Sequence, residues 1–370
     1  MRHCFFVHTQ LQLIVSQMLI TQKSLGDAVL ILSASQDGNM ANNYRMLLQD
    51  ELWESIHYLE NYQSIITADF FCLTRKMLAR KKIATLVSLL KEKDITHVYF
   101  GDQNNITLRY LMHLLKKKQF VIRLYEEGTS HYKKMDYTQQ YSFFGRLHLK
   151  AVCLYNSVFF GVKMYSVFKG IIFSSQIIER RFNLLPLNVE VYDEGINWAP
   201  QYGSRLHSIL DQTLMHIAKK GLSKRMRFFL TQPLTDLSEN LEYAGVALLK
   251  AYLQKEGTSD FVLVLKYHPR ESNAVREAYS ALLESLEVEY YIISEQFNYP
   301  IEIIADKLTP DLVISIGSSA SFYMQYCLGV KTHYLYAQLQ EYCKKSTIYS
   351  RKIDDYIVGF KSIENRLIKK

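Results

Sequence analysis

Two kinds of hydrophobic pattern alternate along this chain. Continuous apolar runs mark strands buried on both faces. They occur at 4–8, 28–33 (AVLILS), 97–101 (HVYFG) and 120–125 (FVIRLY). Between them, helical spacing predicts helices over 11–23, 77–92 and 107–118. The last ends on Lys116, Lys117 and Lys118, which suits the negative end of a helix dipole. The pattern then repeats, predicting strands at 227–231 (RFFLT), 261–266 (FVLVLK), 289–293, 312–316 (LVISI) and 331–336. Helices are predicted over 237–254, 274–286, 301–307 and 320–328. Strands that alternate with helices imply βαβ units and a parallel sheet. The stretch 185–204 collects Pro186, Gly195, Pro200 and Gly203 and forms the best boundary. The expected fold is α/β, with two facing Rossmann-like domains and an inter-domain cleft. An N-terminal domain spans 1–195 and a C-terminal domain 205–350, with a return of 351–370 to the first domain left open.

Length and composition agree with this reading. A chain of 370 residues accommodates two domains of ~150–200 residues. With 48% hydrophobic and 22% charged residues, wholesale disorder is excluded. The net charge of +8 attracts polyanions: nucleic acid, anionic lipid or acidic polysaccharide. No nucleic-acid reading motif is recognisable, so no nucleic-acid partner is expected. Five widely spaced cysteines without a CxxC pair argue against a zinc ribbon or a disulfide framework, and point to the reducing cytoplasm. Polar His8, Thr9, Gln10 and Gln12 interrupt the N-terminal apolar run, which does not read as a signal peptide. Residues 151–174 come nearest to a membrane span, but Asn156, Lys163 and Lys169 favour a buried or surface-lying segment.

In open α/β sheets ligands bind beyond the carboxyl ends of the strands. Chemistry is therefore sought just after each strand. Glu126-Glu127-Gly128-Thr129-Ser130 follows FVIRLY: one carboxylate facing a cleft is a candidate general base, although an acidic turn or helix cap would use the same residues. Tyr267-His268-Pro269-Arg270-Glu271 follows FVLVLK, and Pro269 holds His268 extended. His268 then serves a phosphate or leaving group, or is a surface turn histidine. Gly317-Ser318-Ser319 follows LVISI and opens a helix, where backbone amides attract anions or serine simply caps. No P-loop lysine is present. Glu295, after Ile293-Ser294, and Thr231-Gln232, after RFFLT, are further candidates for donor contacts. His8, Thr9 and Gln10 leave the first strand toward the same cleft, or Thr9 and Gln10 cap the helix beginning near Leu11. Asp193-Glu194-Gly195 also fits an acidic-acidic-glycine pattern. The stretch before it alternates rather than reading as a buried strand, so it is taken as a turn.

Three of these stretches resemble the signature motifs of bacterial sialyltransferases: Tyr125-Glu126-Glu127-Gly128-Thr129, Lys266-Tyr267-His268-Pro269-Arg270-Glu271 and Ile316-Gly317-Ser318-Ser319. The wider text EEGTSHYKK and LKYHPRE is most similar to the capsular polysialyltransferases, and next to the lipooligosaccharide enzymes. The resemblance implies a GT-B fold, CMP-sialic acid as donor, inversion at the anomeric carbon and no cofactor or metal. It implies that Glu127 deprotonates the acceptor, with Glu126 orienting, and that His268 serves the departing CMP phosphate. It also implies that Ser318 and Ser319 bind that phosphate and that Glu295 holds the cytidine ribose; Gly317, Thr231, Gln232, Lys266 and Pro269 complete the expected donor site. The expected acceptor is an anionic oligosaccharide or polysaccharide, held by Lys116, Lys117, Lys118, Lys133 and Lys134 by counterion release. Attraction of these lysines to an anionic inner membrane leaflet, and association with capsule assembly proteins, are the other partners in view. A single-residue lipooligosaccharide sialyltransferase and a noncatalytic acidic-polysaccharide-binding protein are the competing readings.

Overall fold

The structure is a computed structural model. It describes residues 1–33, 44–59, 73–101, 106–125, 169–172, 188–191, isolated positions between 202 and 217, 224–293, 299–348 and 351–367. The chain divides into two compact units that meet in sequence between Leu206 and His207.

The first unit is a seven-stranded parallel sheet. Its strands are β1 (Arg2–Val7), β2 (Ala28–Leu32), β3 (Ser55–Tyr58), β4 (Ile95–Phe100), β5 (Val121–Tyr125), β6 (Lys169–Ile172) and β7 (Asn188–Val191), in the order β3-β2-β1-β4-β5-β6-β7. Helices α1 (Gln10–Lys23), α2 (Leu73–Glu92) and α3 (Ile106–Lys117) alternate with the early strands. The continuous apolar runs of β1 and β2 are buried on both faces, as covered parallel strands require. Cys4, Phe6, Val29, Ile31, Val98, Phe100, Leu111 and Leu124 share one core cluster. On the other side of β1, Phe5 stacks on Tyr99 at 4.3 Å and meets Trp53 edge-on. A buried Gln17 serves as an internal strut for α1. Its Nε2 donates to the Leu47 carbonyl, and its Oε1 accepts from the Gln49 amide at 2.9 Å.

The second unit is a five-stranded parallel sheet. Its strands are β8 (Arg225–Leu230), β9 (Phe261–Lys266), β10 (Tyr290–Ile292), β11 (Leu312–Ser315) and β12 (Thr332–Tyr334), in the order β10-β9-β8-β11-β12. Its helices are α4 (Ala244–Glu256), α5 (Asn273–Ser285), α6 (Ile301–Leu308), α7 (Ser319–Leu328), α8 (Tyr336–Lys345) and α9 (Arg351–Leu367). Both sheets grow outward from their first strand in the doubly wound order.

Several expectations need correction. The helix expected over 237–254 begins later, at Ala244, after 3-10 turns at Leu234–Asp236 and Glu239–Leu241. Pro233 and the polar run Ser238-Glu239-Asn240 keep that stretch out of the helix. The alternating stretch before Asp193 is a strand after all. β7 pairs parallel with β6 as the last strand of the sheet, where alternation is compatible with an edge. Asp193, Glu194 and Gly195 themselves lie outside the described residues. β6 ends the run 151–174 in a strand, and among the described residues no helix is long and apolar enough to cross a membrane. Strand β3 and helices α8 and α9 were not anticipated. The segment 351–370, for which a return to the first domain was left open, contributes α9 to the second unit, against α8 and α7.

The amino ends of β1 and β4 carry a histidine pair. His3 and His97 rings lie 5.3 Å apart, and His3 Nδ1 sits 3.2 Å from the Tyr99 hydroxyl. Burial, then the neighbouring His97, the N-terminal ammonium and Arg123, hold His3 down to about 4. Burial and Arg123 also lower His97. A histidine depressed in the folded state contributes stability above its ordinary value of 6.5, and that contribution is lost as pH falls toward 4. The first unit is therefore expected to melt at progressively lower temperature between pH 6.5 and 4. A His3→Asn variant, followed by Trp53 fluorescence, should show a flatter acid limb; identical limbs would remove the histidine as the cause.

Candidate functional site

Three adjacent strands of the second unit, β9, β8 and β11, deliver polar groups to one carboxyl edge. Their ends carry His268, Thr231 and Gly317-Ser318, across about 10 Å at two strand spacings.

His268 is half-buried and its ring is oriented by the turn that follows it. The Arg270 amide donates to His268 Nδ1 at 3.2 Å. Nδ1 is thus the acceptor, so the neutral ring carries its proton on Nε2. Burial, reinforced by the Arg270 charge and opposed by Asp236, lowers the imidazole below its usual range. The ring is accordingly neutral at physiological pH and offers an Nε2–H donor. The turn is tied down at three points. The His268 amide donates to Thr231 Oγ1 at 2.8 Å, the Glu271 amide donates to the His268 carbonyl at 3.0 Å, and Arg270 grips both oxygens of Asp236 at 3.1 and 2.8 Å. Arg270 and Asp236 are largely exposed, so their pair contributes orientation more than stability. Pro269 is exposed and Gln232 is half-buried.

Thr231 is buried, and its hydroxyl accepts from the His268 amide at 2.8 Å. Lys266, the last residue of β9, is lowered to about 8, chiefly by burial; Glu302, buried in the first turn of α6, opposes this. Burial raises Glu302 to about 7.

The third strand end is built around a serine that sequence reasoning passed over. The hydroxyl of buried Ser315 accepts from the amides of Gly317 at 3.1 Å and Ser318 at 2.8 Å. Ser318 occupies the N-cap position of α7, yet its side chain makes no capping bond. Its hydroxyl is therefore not spent on the helix, as it would be if it were an ordinary capping serine. The α7 N-terminal amides beyond it, beginning at Ser319, carry the positive end of the helix dipole. Helix α9 supports the loop from behind. Tyr356 donates to the Gly317 carbonyl at 3.1 Å, and Phe360 stacks on Phe322 of α7 at 5.3 Å. Gly317 has φ 156°, and a Cβ there would lie 2.6 Å from the Tyr356 hydroxyl and 2.9 Å from the Phe360 ring. The spacing Ile353, Tyr356, Ile357, Phe360 was the available signal for this support, since i, i+3, i+4, i+7 marks one helical face.

In the first unit, Thr9 caps α1: its hydroxyl accepts from the Gln12 amide at 3.2 Å, and Gln10 is the first helical residue. The His8 amide donates to Gln12 Oε1 at 2.6 Å. Lys116, Lys117 and Lys118 are exposed, but they end a helix that runs back from the carboxyl edge of the sheet. Lys118 lines a cavity of about 350 Å³ with Ile95 and Val121, the amino ends of β4 and β5. Strand β5, about 16 Å long at 3.3 Å per residue, thus separates these lysines from the strand exit at Tyr125. Glu126, Glu127, Lys133, Lys134 and Glu295 lie outside the described residues. Among the described residues, no group of three or more His, Cys, Asp or Glu is arranged to hold a metal ion.

Comparison with known proteins now adds to this geometry. The family model Alpha-2,8-polysialyltransferase (POLYST) matches residues 4–337. No curated protein matches in sequence. A sialyltransferase from Photobacterium damselae, its GT-B domain, aligns at TM-score 0.50 and 14% identity, covering 96% of this chain and 99% of that one. The two Rossmann-like units are accordingly of the GT-B class. A glycosyltransferase from Rickettsia africae ESF-5 aligns at TM-score 0.48 and 11% identity, covering 100% and 96%. A UDP-GlcNAc 2-epimerase from Methanocaldococcus jannaschii aligns at TM-score 0.48 and 11% identity, covering 100% and 94%.

The packing around Gly317 has a measurable consequence. Gly317→Ala should cost about 1–3 kcal/mol through overpacking, read as ~2–4 °C of melting temperature per kcal/mol. An unchanged melting curve would show that the loop does not rest on α9.

Proposed function

The chain belongs to the alpha-2,8-polysialyltransferase family, and from that membership we propose an inverting, metal-independent enzyme that extends an anionic sialylated acceptor from CMP-sialic acid in bacterial capsule synthesis. The single observation that carries the chemical reading is the orientation of His268: with Nδ1 filled by the Arg270 amide, Nε2–H is a fixed donor at the carboxyl edge of the second sheet.

In this reading Glu127 takes the proton of the acceptor hydroxyl, with Glu126 orienting it. The acceptor oxygen attacks the anomeric carbon as the bond to the CMP phosphate oxygen breaks. The leaving CMP carries the released electron pair, and displacement at one face inverts the centre. His268 Nε2–H, the Ser318 hydroxyl and the α7 amides beginning at Ser319 meet the negative charge that gathers on the phosphate. These donors supply the leaving-group stabilisation that a divalent cation supplies elsewhere. Thr231 acts in this scheme through His268. Lys266 lends positive charge to the donor side, and Glu295 accepts from the cytidine ribose. Lys133 and Lys134 hold the polyanionic acceptor, with the net charge of +8 favouring its approach. The same charge favours a cytoplasmic enzyme resting against an anionic inner leaflet.

Labelled CMP-sialic acid with a short sialyl acceptor tests this reading. His268→Ala and Glu127→Gln should each lower transfer about a hundredfold or more, a chelator should change nothing, and a sizing gel should show a ladder. If folded variants at His268 and at both Glu126 and Glu127 transfer at the wild-type rate, the chemical assignment is wrong. A single added sugar would instead assign the single-residue enzyme.

A further inference from the structure

The carboxyl edge of the first sheet holds a buried donor that the proposed chemistry does not use. In the order β3-β2-β1-β4-β5 the chain winds one way from β1 and the other way from β4. The crevice between these two strands is therefore the topological switch point, where open α/β sheets take their ligands. Phe6 pairs with Phe100, so the chain leaves the sheet toward His8 and at Gly101 side by side. Tyr125, the last residue of β5, donates its hydroxyl to the Phe6 carbonyl at 2.9 Å and ties a third strand exit to this place.

Gln12, in the first turn of α1, supplies the donor. Its Oε1 accepts from the His8 amide at 2.6 Å. That partner can only donate, so it fixes which end of the side-chain amide is oxygen and which is Nε2. Gln12 is 1% exposed, and among the described residues Nε2 has no hydrogen-bond partner. It rests on the exit of β4, because a Cβ at Gly101 would lie 2.6 Å from Nε2. Helix capping does not account for this group. A capping box needs only an oxygen here, which glutamate supplies equally, and a carboxylate would also gain from the helix dipole. Glutamine instead buries an NH2 group, which is costly unless an acceptor meets it.

The surroundings favour an anion as that acceptor. The Thr9 hydroxyl takes the Gln12 amide and the Thr9 carbonyl takes the Leu13 amide. The Gln10 and Leu11 amides are left without an intrahelical partner at the positive end of α1. No acidic residue in the first turn balances that charge. Thr9 is exposed, and Gln10 and Leu11 are half-buried, so solvent reaches the crevice beside Gln12.

We propose that this crevice is a carboxylate subsite, in which Gln12 Nε2–H and the N-terminus of α1 receive the carboxylate of a sialyl unit of the acceptor. This rests on the sialylated acceptor proposed above. The groups assigned to CMP-sialic acid all belong to the second unit, whereas β5 leads directly into Glu126-Glu127, so the sialyl unit bound here is the acceptor's.

Initial rates of CMP release by the full-length chain, with CMP-sialic acid and a short sialyl acceptor varied in turn, test the subsite. Gln12→Glu keeps the capping oxygen, removes the donor and sets a negative charge in its place. It should raise the acceptor KM about tenfold or more, as loss of a charge-assisted hydrogen bond requires, and leave the CMP-sialic acid KM near the wild-type value. A residue that only caps the helix would leave the acceptor KM unchanged, and that result would overturn the proposal. So would a rise confined to the CMP-sialic acid KM. A second arm uses the same acceptor with its carboxyl groups converted to methyl esters. The wild type should favour the free acid about tenfold, and Gln12→Ala should narrow that preference to about threefold or less. An equal preference in the two proteins overturns the subsite, whether or not Gln12→Glu folds. No CMP release by the wild type refutes the functional reading and the subsite with it. An active wild type whose acceptor KM is indifferent to Gln12→Glu refutes the subsite alone.

Discussion

The hydrogen bond from the Arg270 amide to His268 Nδ1 is the constraint on which the site depends. A free imidazole distributes its proton between two nitrogens and rotates. This one has a backbone donor set against one nitrogen, so the proton resides on the other. The donor is a main-chain group, and it holds its position only as well as the turn does. That is why so much of the surrounding polar chemistry, from Asp236 to Glu271, is spent on a stretch of four residues.

Sheet topology explains how distant parts of the sequence reach this place. In a parallel sheet every strand exits on the same edge, and the order β9-β8-β11 sets three exits side by side although their residues are separated by more than thirty positions. Helices return to the opposite edge. A residue's place in the strand-helix cycle therefore says more about its surroundings than its distance in sequence. Lys118 is seven residues from Tyr125, the last residue of β5, yet it borders the amino ends of β4 and β5.

Much of the fold was legible because strands buried on both faces announce themselves as unbroken apolar runs. AVLILS, FVLVLK and LVISI each fell where a strand is found. Elements at edges were harder to read. The four residues Ser55-Ile56-His57-Tyr58 and the alternating Asn188–Val191 are the outermost strands of their sheet, with less apolar signal to show. At the site, His268, Gly317 and Ser318 were recognisable from their position after strands. Ser315 and Tyr356 were not, because each acts on the backbone of another residue. Nothing in a serine inside LVISI, or in a tyrosine forty residues downstream, says which amide or carbonyl it meets.

The support that α9 gives to the Gly317 loop has a consequence for synthesis. A ribosome delivers the strand and loop of that site some forty residues before Tyr356 and Phe360 emerge to brace them. During that interval the nascent second unit has its central sheet strands but not the brace behind the turn at Gly317. Functional maturation of this domain is therefore timed by its final helix.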